Sequence, residues 1–449
     1  MGQKIDRTYL FERMPVGQAV RRQIIPSIAS QMVILLYNLA DTYFVGLLND
    51  ASQTAAVSLA YSVTLLMTAL ANLFAVGGAG RIAQLLGRRD RDGAREVCAV
   101  SFWFALLASA AFCVLFTLLS SPILRLCGAT DETYALACGY SRWVISVGGT
   151  FSILNTVLAN LIRADGSAFA ASMGVSAGGI INMLLDPLFV LPRFLGMGAE
   201  GAGLATAISN AAGMLILLGI IAARRRVGVV ALRPGDLRAA RRHIGRILRI
   251  GLPSAVQFLL TLVAVGALTK FMSLYDTAAV AALGIVKKLD MLPLYFSIGV
   301  ANGLLPLLAY NYSAGNHERR HRIFLCGCAV AVGFSVVCVA GYEVFAPALV
   351  RIFIGDAQTI AYGTKLLRIM VLAMPMMSVC YPMITQFQAM GRMRESLICS
   401  ILRKGSLDIP LLFVLNALFP LYGCAAVQPI VDCICMIVAI YFYKKLPTA

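Results

Sequence analysis

The stretch IIPSIASQMVILLYNLADTYFVG, residues 24–46, decides how the rest of the chain is read. It is apolar for most of its length, long enough as a helix to cross a ~30 Å hydrocarbon core, and carries a single residue charged at neutral pH, Asp41. Its opening, IIPSIASQ at 24–31, returns as GLPSAVQF at 251–258. This stretch thus predicts a membrane span and a duplicated chain.

Working outward, apolar runs of this kind recur from residue 23 to residue 443. Mean hydropathy is +0.82. Of the 449 residues 59% are hydrophobic and 13% charged, where a soluble domain is about one quarter charged. The alternating ~10-residue segments of a β-barrel are absent. The predicted class is an all-α polytopic membrane protein. Twelve spans are expected at 23–46, 54–80, 96–120, 136–162, 168–191, 199–223, 247–272, 278–309, 321–346, 364–390, 396–418 and 421–443. The first run follows Arg21 and Arg22 and is too long for a signal-peptide core. The 12 cysteines lie mostly inside apolar runs, without zinc-site spacing, and read as small packing residues.

The net charge of +17 does not point to nucleic acid, because of how it is distributed. RIAQLLGRRDRDGAR (81–95), RRRVGVVALRPGDLRAARRHIGRILR (224–249) and NHERRHR (316–322) sit between apolar runs. Alternate loops assigned to the side of both termini collect most of the lysine and arginine, including Arg163, Arg403 and Lys404. The opposite side holds Arg125, Arg142, Arg193, Lys270, Arg351, Lys365 and Arg368. That asymmetry predicts cytoplasmic termini, with anionic lipid as the partner of the basic loops.

The repeat continues beyond its opening. TAAV occurs at 54–57 and 277–280, GGAGRIAQLLGRRD (77–90) answers GLLPLLAYNYSAGN (303–316), and DPLFVL (186–191) answers IPLLFVL (409–415). The expected organisation is a cytoplasmic segment 1–22, an N-lobe of six helices over 23–223, a basic linker 224–246, a C-lobe of six helices over 247–443 and a cytoplasmic end 444–449. Two parallel six-helix halves suit a carrier that rocks around a site between repeats.

Ionisable residues inside spans are the functional candidates. At ~100° per residue, Ser27, Gln31, Asn38 and Asp41 share one helix face. Asn182 and Asp186 lie one turn apart, with Gly179 and Ser172 extending their face. Asp41 and Asp186 each stand about 25–30 Å up an outward-running helix. Two carboxylates at one height repel unless a proton or cation joins them, and the Asn38 and Asn182 amides supply neutral oxygens for a hard ion such as Na⁺. A capping role beside Pro187 is the bland alternative for Asp186. Lys287, Lys288 and Asp290 interrupt AALGIVKKLDMLPLYF, and Lys287 is placed to pair with Asp290. Asp408 and Asp432 sit in less polar contexts. Gln31, Tyr37, Asn38, Asn160, Lys288 and Asp290 are the candidate lining of a substrate cavity. Pro26 and Pro253 kink matching helices. No phosphate-binding loop, nucleophile elbow or zincin motif occurs, so an enzyme is not expected and no cofactor beyond a coupling ion, H⁺ or Na⁺.

These stretches together, with LIRADGSAFAA (161–171), INMLLDPLFV (181–190) and GAEGAGLATAIS (198–209), resemble the multidrug and toxic compound extrusion (MATE) transporters along essentially the whole chain. The resemblance implies two six-helix lobes forming a V and drug export driven by H⁺ or Na⁺. In a prokaryotic branch of that family it implies a cation site at Asp41, Asn182, Asp186 and Thr206. The acidic residues that another branch carries in helices seven and ten are missing here. The expectation is a monomeric antiporter of the bacterial inner membrane, exporting amphipathic, often cationic, compounds. A flippase for a lipid-linked sugar, which the Lys287/Lys288 pair favours, and a non-transporting receptor or scaffold are the alternatives.

Overall fold

The computed structural model describes residues 7–48, 50–225 and 228–445. Residues 1–6 of the expected N-terminal segment, 226–227 of the linker and 446–449 of the C-terminal end lie outside the described residues. The described chain is helical and contains no strand. In order come α1 (Val16–Gly46), α2 (Ala51–Gly87), α3 (Arg91–Leu126), α4 (Asp131–Ser141), α5 (Gly149–Ala164), α6 (Ala168–Val190) and α7 (Gly198–Arg224). Then follow α8 (Ala240–Met272), α9 (Thr277–Ser313), α10 (His317–Arg351), α11 (Ala357–Val371), α12 (Met374–Ala389), α13 (Met393–Ile401), α14 (Asp408–Leu418) and α15 (Tyr422–Lys444).

Nine of these are long and apolar enough to cross a bilayer, and the bent pairs α4–α5 (45°) and α11–α12 (43°) raise the number to eleven. Each bend has a local cause. A π-helical turn, Arg142–Val147, separates α4 from α5. Pro375 stands in the first turn of α12, where its missing N–H ends the helix before it. The expected span 396–418 is the one that departs from a simple crossing. It is divided into α13, a π-helical turn at Leu402–Ser406 and α14, with Lys404 at non-helical φ −136°, ψ 25°. Pro410, in the first turn of α14, cannot continue a helix arriving from α13.

The chain forms two compact units. The first comprises Met1–Arg13 and Ala29–Ala255, the second Met14–Ile28 and Val256–Ala449. The expected boundaries at 23 and 247 therefore do not coincide with the units. The start of α1 belongs to the second unit and the start of α8 to the first. Both changeovers fall two residues after a helix proline, Pro26 and Pro253. Glycines seat these helix feet. In the first unit a Cβ on Gly77 of α2 would lie 2.2 Å from the Ile247 carbonyl oxygen of α8. In the second, a Cβ on Gly303 of α9 would lie 2.8 Å from Ile24 Cα of α1. Gly77 and Gly303 are partners in the repeat.

Candidate functional site

The first unit carries a buried polar cluster on helices whose surfaces are otherwise apolar. Small residues let those helices approach. A Cβ on Gly179 of α6 would meet Val33 Cγ1 of α1 at 2.6 Å, and one on Gly178 the Ser209 carbonyl of α7 at 3.1 Å. α6 is thereby held between α1 and α7, and the side chains one turn further along meet. Asn182 Nδ2 donates to Asp186 Oδ1 at 3.4 Å and to Thr206 Oγ1 of α7 at 3.3 Å. Asp186 is fully buried, and Asn182 is 1% exposed. On α1, Asp41 is buried and accepts a hydrogen bond from Tyr140 Oη of α4 at 3.5 Å. Asp41 and Asp186 lie within electrostatic reach of each other, and Tyr37 and Tyr140 within reach of both.

Three oxygens of this cluster, Asp41 Oδ1, Asn182 Oδ1 and Asp186 Oδ2, are buried with no hydrogen-bond partner among the described residues. Buried acceptors in an apolar surround call for a proton or a cation. Two carboxylates with neutral amide, hydroxyl and phenol oxygens suit H⁺ or a hard cation and not a soft metal. Asp186 accepts from a side chain one turn back in its own helix, and among the described residues no backbone N–H donates to it.

The MatE family model matches residues 26–188 and again 253–414, one match in each half of the repeat. The chain belongs to the MatE family. It is 29% identical over 437 residues to the multidrug export protein MepA of Staphylococcus aureus, covering 97% of this chain and 95% of that one. A MepA of Staphylococcus saprophyticus is 27% identical over 436 residues, covering the same shares of the two chains. Among solved structures, an outward-facing MATE multidrug resistance transporter of the MOP superfamily superposes with a TM-score of 0.92 at 25% identity, covering 99% of this chain and 98% of that one. A MATE structure in complex with MaD3S gives 0.90 at 26% identity over 98% of both chains. The relatives are transporters and not enzymes, and the resemblance read from the sequence holds.

In this MATE chain Tyr37 lies with the two carboxylates, and the other expected cavity residues are dispersed. Asn38 Nδ2 donates to the Ile34 carbonyl at 2.9 Å and Asn160 Nδ2 to the Thr156 carbonyl at 2.9 Å, each within its own helix. Gln31 is buried in α1, and Tyr37 stands beside Gly179. Among the described residues no ion pair joins Lys287 to Asp290. Arg163, Arg403 and Lys404 depart from their reading as loop charges. Arg163 is 3% exposed and donates to Ser30 Oγ at 3.1 Å. Arg403 is 1% exposed and pairs with the fully buried Asp432 of α15 at 2.8 Å, while its guanidinium stacks 4.4 Å over the Tyr381 ring. Lys404 donates to Gln428 Oε1 at 2.6 Å, and Gln428 Nε2 donates to Asp432 Oδ2 at 3.0 Å. Sequence reasoning missed Tyr140 and this second cluster. Charges inside the expected eleventh span were the signal for the cluster; a lone tyrosine in the fourth span gives none.

Proposed function

We propose that this MATE protein is a cation-coupled antiporter that exports amphipathic, often cationic, organic compounds. We place it as a monomer in the bacterial inner membrane with both termini cytoplasmic. The observation that carries the reading is the pair of buried carboxylates, Asp41 and Asp186, each with one unpartnered oxygen, and a third unpartnered oxygen on Asn182 beside them, among the described residues. In a low-dielectric interior two such charges repel and each is poorly solvated. A proton or Na⁺ entering the cluster neutralises it, and its departure restores the negative charge. The protein therefore has two states whose relative free energy an ion controls, which is what alternating access by gradient requires. Asn182 and Thr206 position Asp186 through the shared amide, and Tyr140 holds Asp41. Relatives named for multidrug export support organic compounds as the cargo.

The test is dye efflux from everted membrane vesicles, with proton and sodium gradients imposed in turn. Efflux driven by one or both is expected. If neither gradient drives efflux of any cationic dye, the coupling reading fails.

A further inference from the structure

Two glycines set how the feet of α2 and α8 meet in the first unit. A Cβ on Gly77 of α2 would strike the Ile247 carbonyl of α8, and one on Gly251 of α8 the Leu73 carbonyl of α2. The register is therefore antiparallel, residue 73 against 251 and 77 against 247. One more turn, four residues along each helix, brings Arg81 opposite His243, with Arg242 and Arg246 flanking it. Arg81 is 4% exposed, and its Nη1 donates to Gln84 Oε1 at 3.3 Å. Its Nε is buried without a hydrogen-bond partner among the described residues. Arg88, Arg242 and Arg246 are exposed and lie within electrostatic reach of Arg81, as does Asp90.

The helix contact does not require these charges. In the other half of the repeat Gly303 takes the place of Gly77, and the residue one turn on is Leu307. By the offset of Pro253 from Pro26, the repeat partners of Arg242 and Arg246 are Pro15 and Ala19. Nor are the charges cancelled within the chain. Among the described residues none of the four arginines joins an ion pair. Asp90 caps α3, accepting the Gly93 N–H at 2.8 Å, and Glu96 Oε2 is 2.8 Å from His243 Nε2. Four guanidinium groups against Asp90 leave three positive charges, and two even when Glu96 is counted in full. The wider surroundings do not correct this, since segments 81–96 and 236–249 hold ten arginines and four acidic residues. A buried guanidinium among like charges calls for an anion, and here for one with two charges.

Depth selects the kind of anion. α2 has 37 residues, about 55 Å of rise, against a ~30 Å hydrocarbon core. Centred on the helix, that core ends close to Ala79, so Arg81 stands in the headgroup layer. Phospholipid phosphates already lie at this depth, and basic pockets between spans hold their headgroups. A headgroup with one phosphate would leave positive charge uncancelled.

We propose that the feet of α2 and α8 form a binding site for a phospholipid carrying two phosphates, held by Arg81, Arg88, Arg242 and Arg246. The headgroup screens Arg81 from the two α8 arginines and so keeps the α8 foot on α2. Basic loops attract anionic lipid in general; this is one site with a defined headgroup charge, apart from the Asp41–Asp186 cluster.

The test uses the delipidated full-length protein in neutral detergent. Cardiolipin, with two phosphates, is titrated in, and bound lipid is counted by native mass spectrometry beside the melting midpoint. One saturable cardiolipin and a raised midpoint are expected, with phosphatidylglycerol at equal total charge binding at least several-fold more weakly. Arg81→Gln, and separately the double variant Arg242→Gln/Arg246→Gln, should weaken cardiolipin binding roughly tenfold or more, the loss of charge-assisted hydrogen bonds. Arg238→Gln, an exposed linker arginine, should bind as wild type does. If Arg81→Gln does not fold, the double variant of exposed residues still decides. The proposal is overturned if no saturable cardiolipin binds, if phosphatidylglycerol binds as tightly, or if the double variant binds as wild type does. It is overturned too if Arg238→Gln loses as much, which would mean general surface attraction, or if inorganic pyrophosphate binds as tightly as cardiolipin, which would mean a soluble-phosphate site.

Discussion

Asp186 keeps one carboxylate oxygen on Asn182 and the other buried without a partner. Holding it ionised costs several kcal/mol unless something neutralises it. Asp186→Asn preserves the shape and removes the charge. It should leave expression and detergent stability at or above wild type while gradient-driven efflux collapses. Asp41→Asn should do the same, and the double variant should be little worse than either, because the two act as one site. A well-expressed Asp186→Asn protein that still pumps normally would remove Asp186 from coupling. A different carboxylate lends itself to a pH test. Asp165, in the turn after α5, binds Arg7 through both oxygens, at 3.0 and 3.1 Å, and accepts the Val229 N–H at 3.2 Å. Burial pushes its carboxyl up to about 6, with the Arg7 guanidinium and the Val229 N–H pulling the other way. A carboxyl raised on folding favours the folded state most below about pH 4, and that contribution is lost as pH rises through about 6. Melting curves in detergent should show wild type losing stability relative to Asp165→Asn between pH 4.5 and 6.5, by up to about 3 kcal/mol. Parallel curves would mean that Arg7 offsets the burial. The acidic pair Asp41 and Asp186 was legible in the sequence because charges in apolar runs stand out. Tyr140 was not, since its role depends on where α4 crosses α1.

At the scale of the element, the helix feet carry the packing prediction. Gly77 and Gly303 each face a neighbouring helix backbone at a distance no Cβ tolerates. Gly77→Leu and Gly303→Leu should each destabilise the protein by at least 1–3 kcal/mol, roughly the cost of overpacking, seen as a lower melting midpoint and lower yield. Gly266→Leu on α8, where nothing lies within 4 Å, should be close to neutral. Equal effects at all three positions would argue against seated feet. Helix existence and approximate ends were readable from hydropathy for nearly every span. The break at Leu402–Ser406 was not. Arg403 and Lys404 were counted with the loop because a charge in a sequence carries no depth. Only when Asp432 and Gln428 of α15 come alongside does a buried guanidinium and ammonium become tolerable.

For the molecule as a whole, the sidedness of the loops is open to direct measurement. Single cysteines at Arg89, Arg238 and the exposed Arg322, beside the buried Arg320, in a background without accessible native thiols, should react with impermeant maleimide only from the cytoplasm. One at Arg193 should react only from outside; Asn49, on the same expected side, lies outside the described residues. Labelling of Arg238 from outside would overturn the topology. The amino-acid sequence by itself determined the class, the duplication and the acidic pair, because each is written in one dimension. Apolar length measures a bilayer, a constant offset marks a repeat, and a carboxylate in an apolar run is costly wherever the helix goes. Tertiary structure alone decided the exchange of helix feet between units, the joining of Asn182 to Thr206, and the pairing of Arg403 with Asp432. Those depend on which face of one helix meets which face of another. That is set by shape at the glycine contacts and by cancellation of buried charge, and neither quantity belongs to any single stretch of chain.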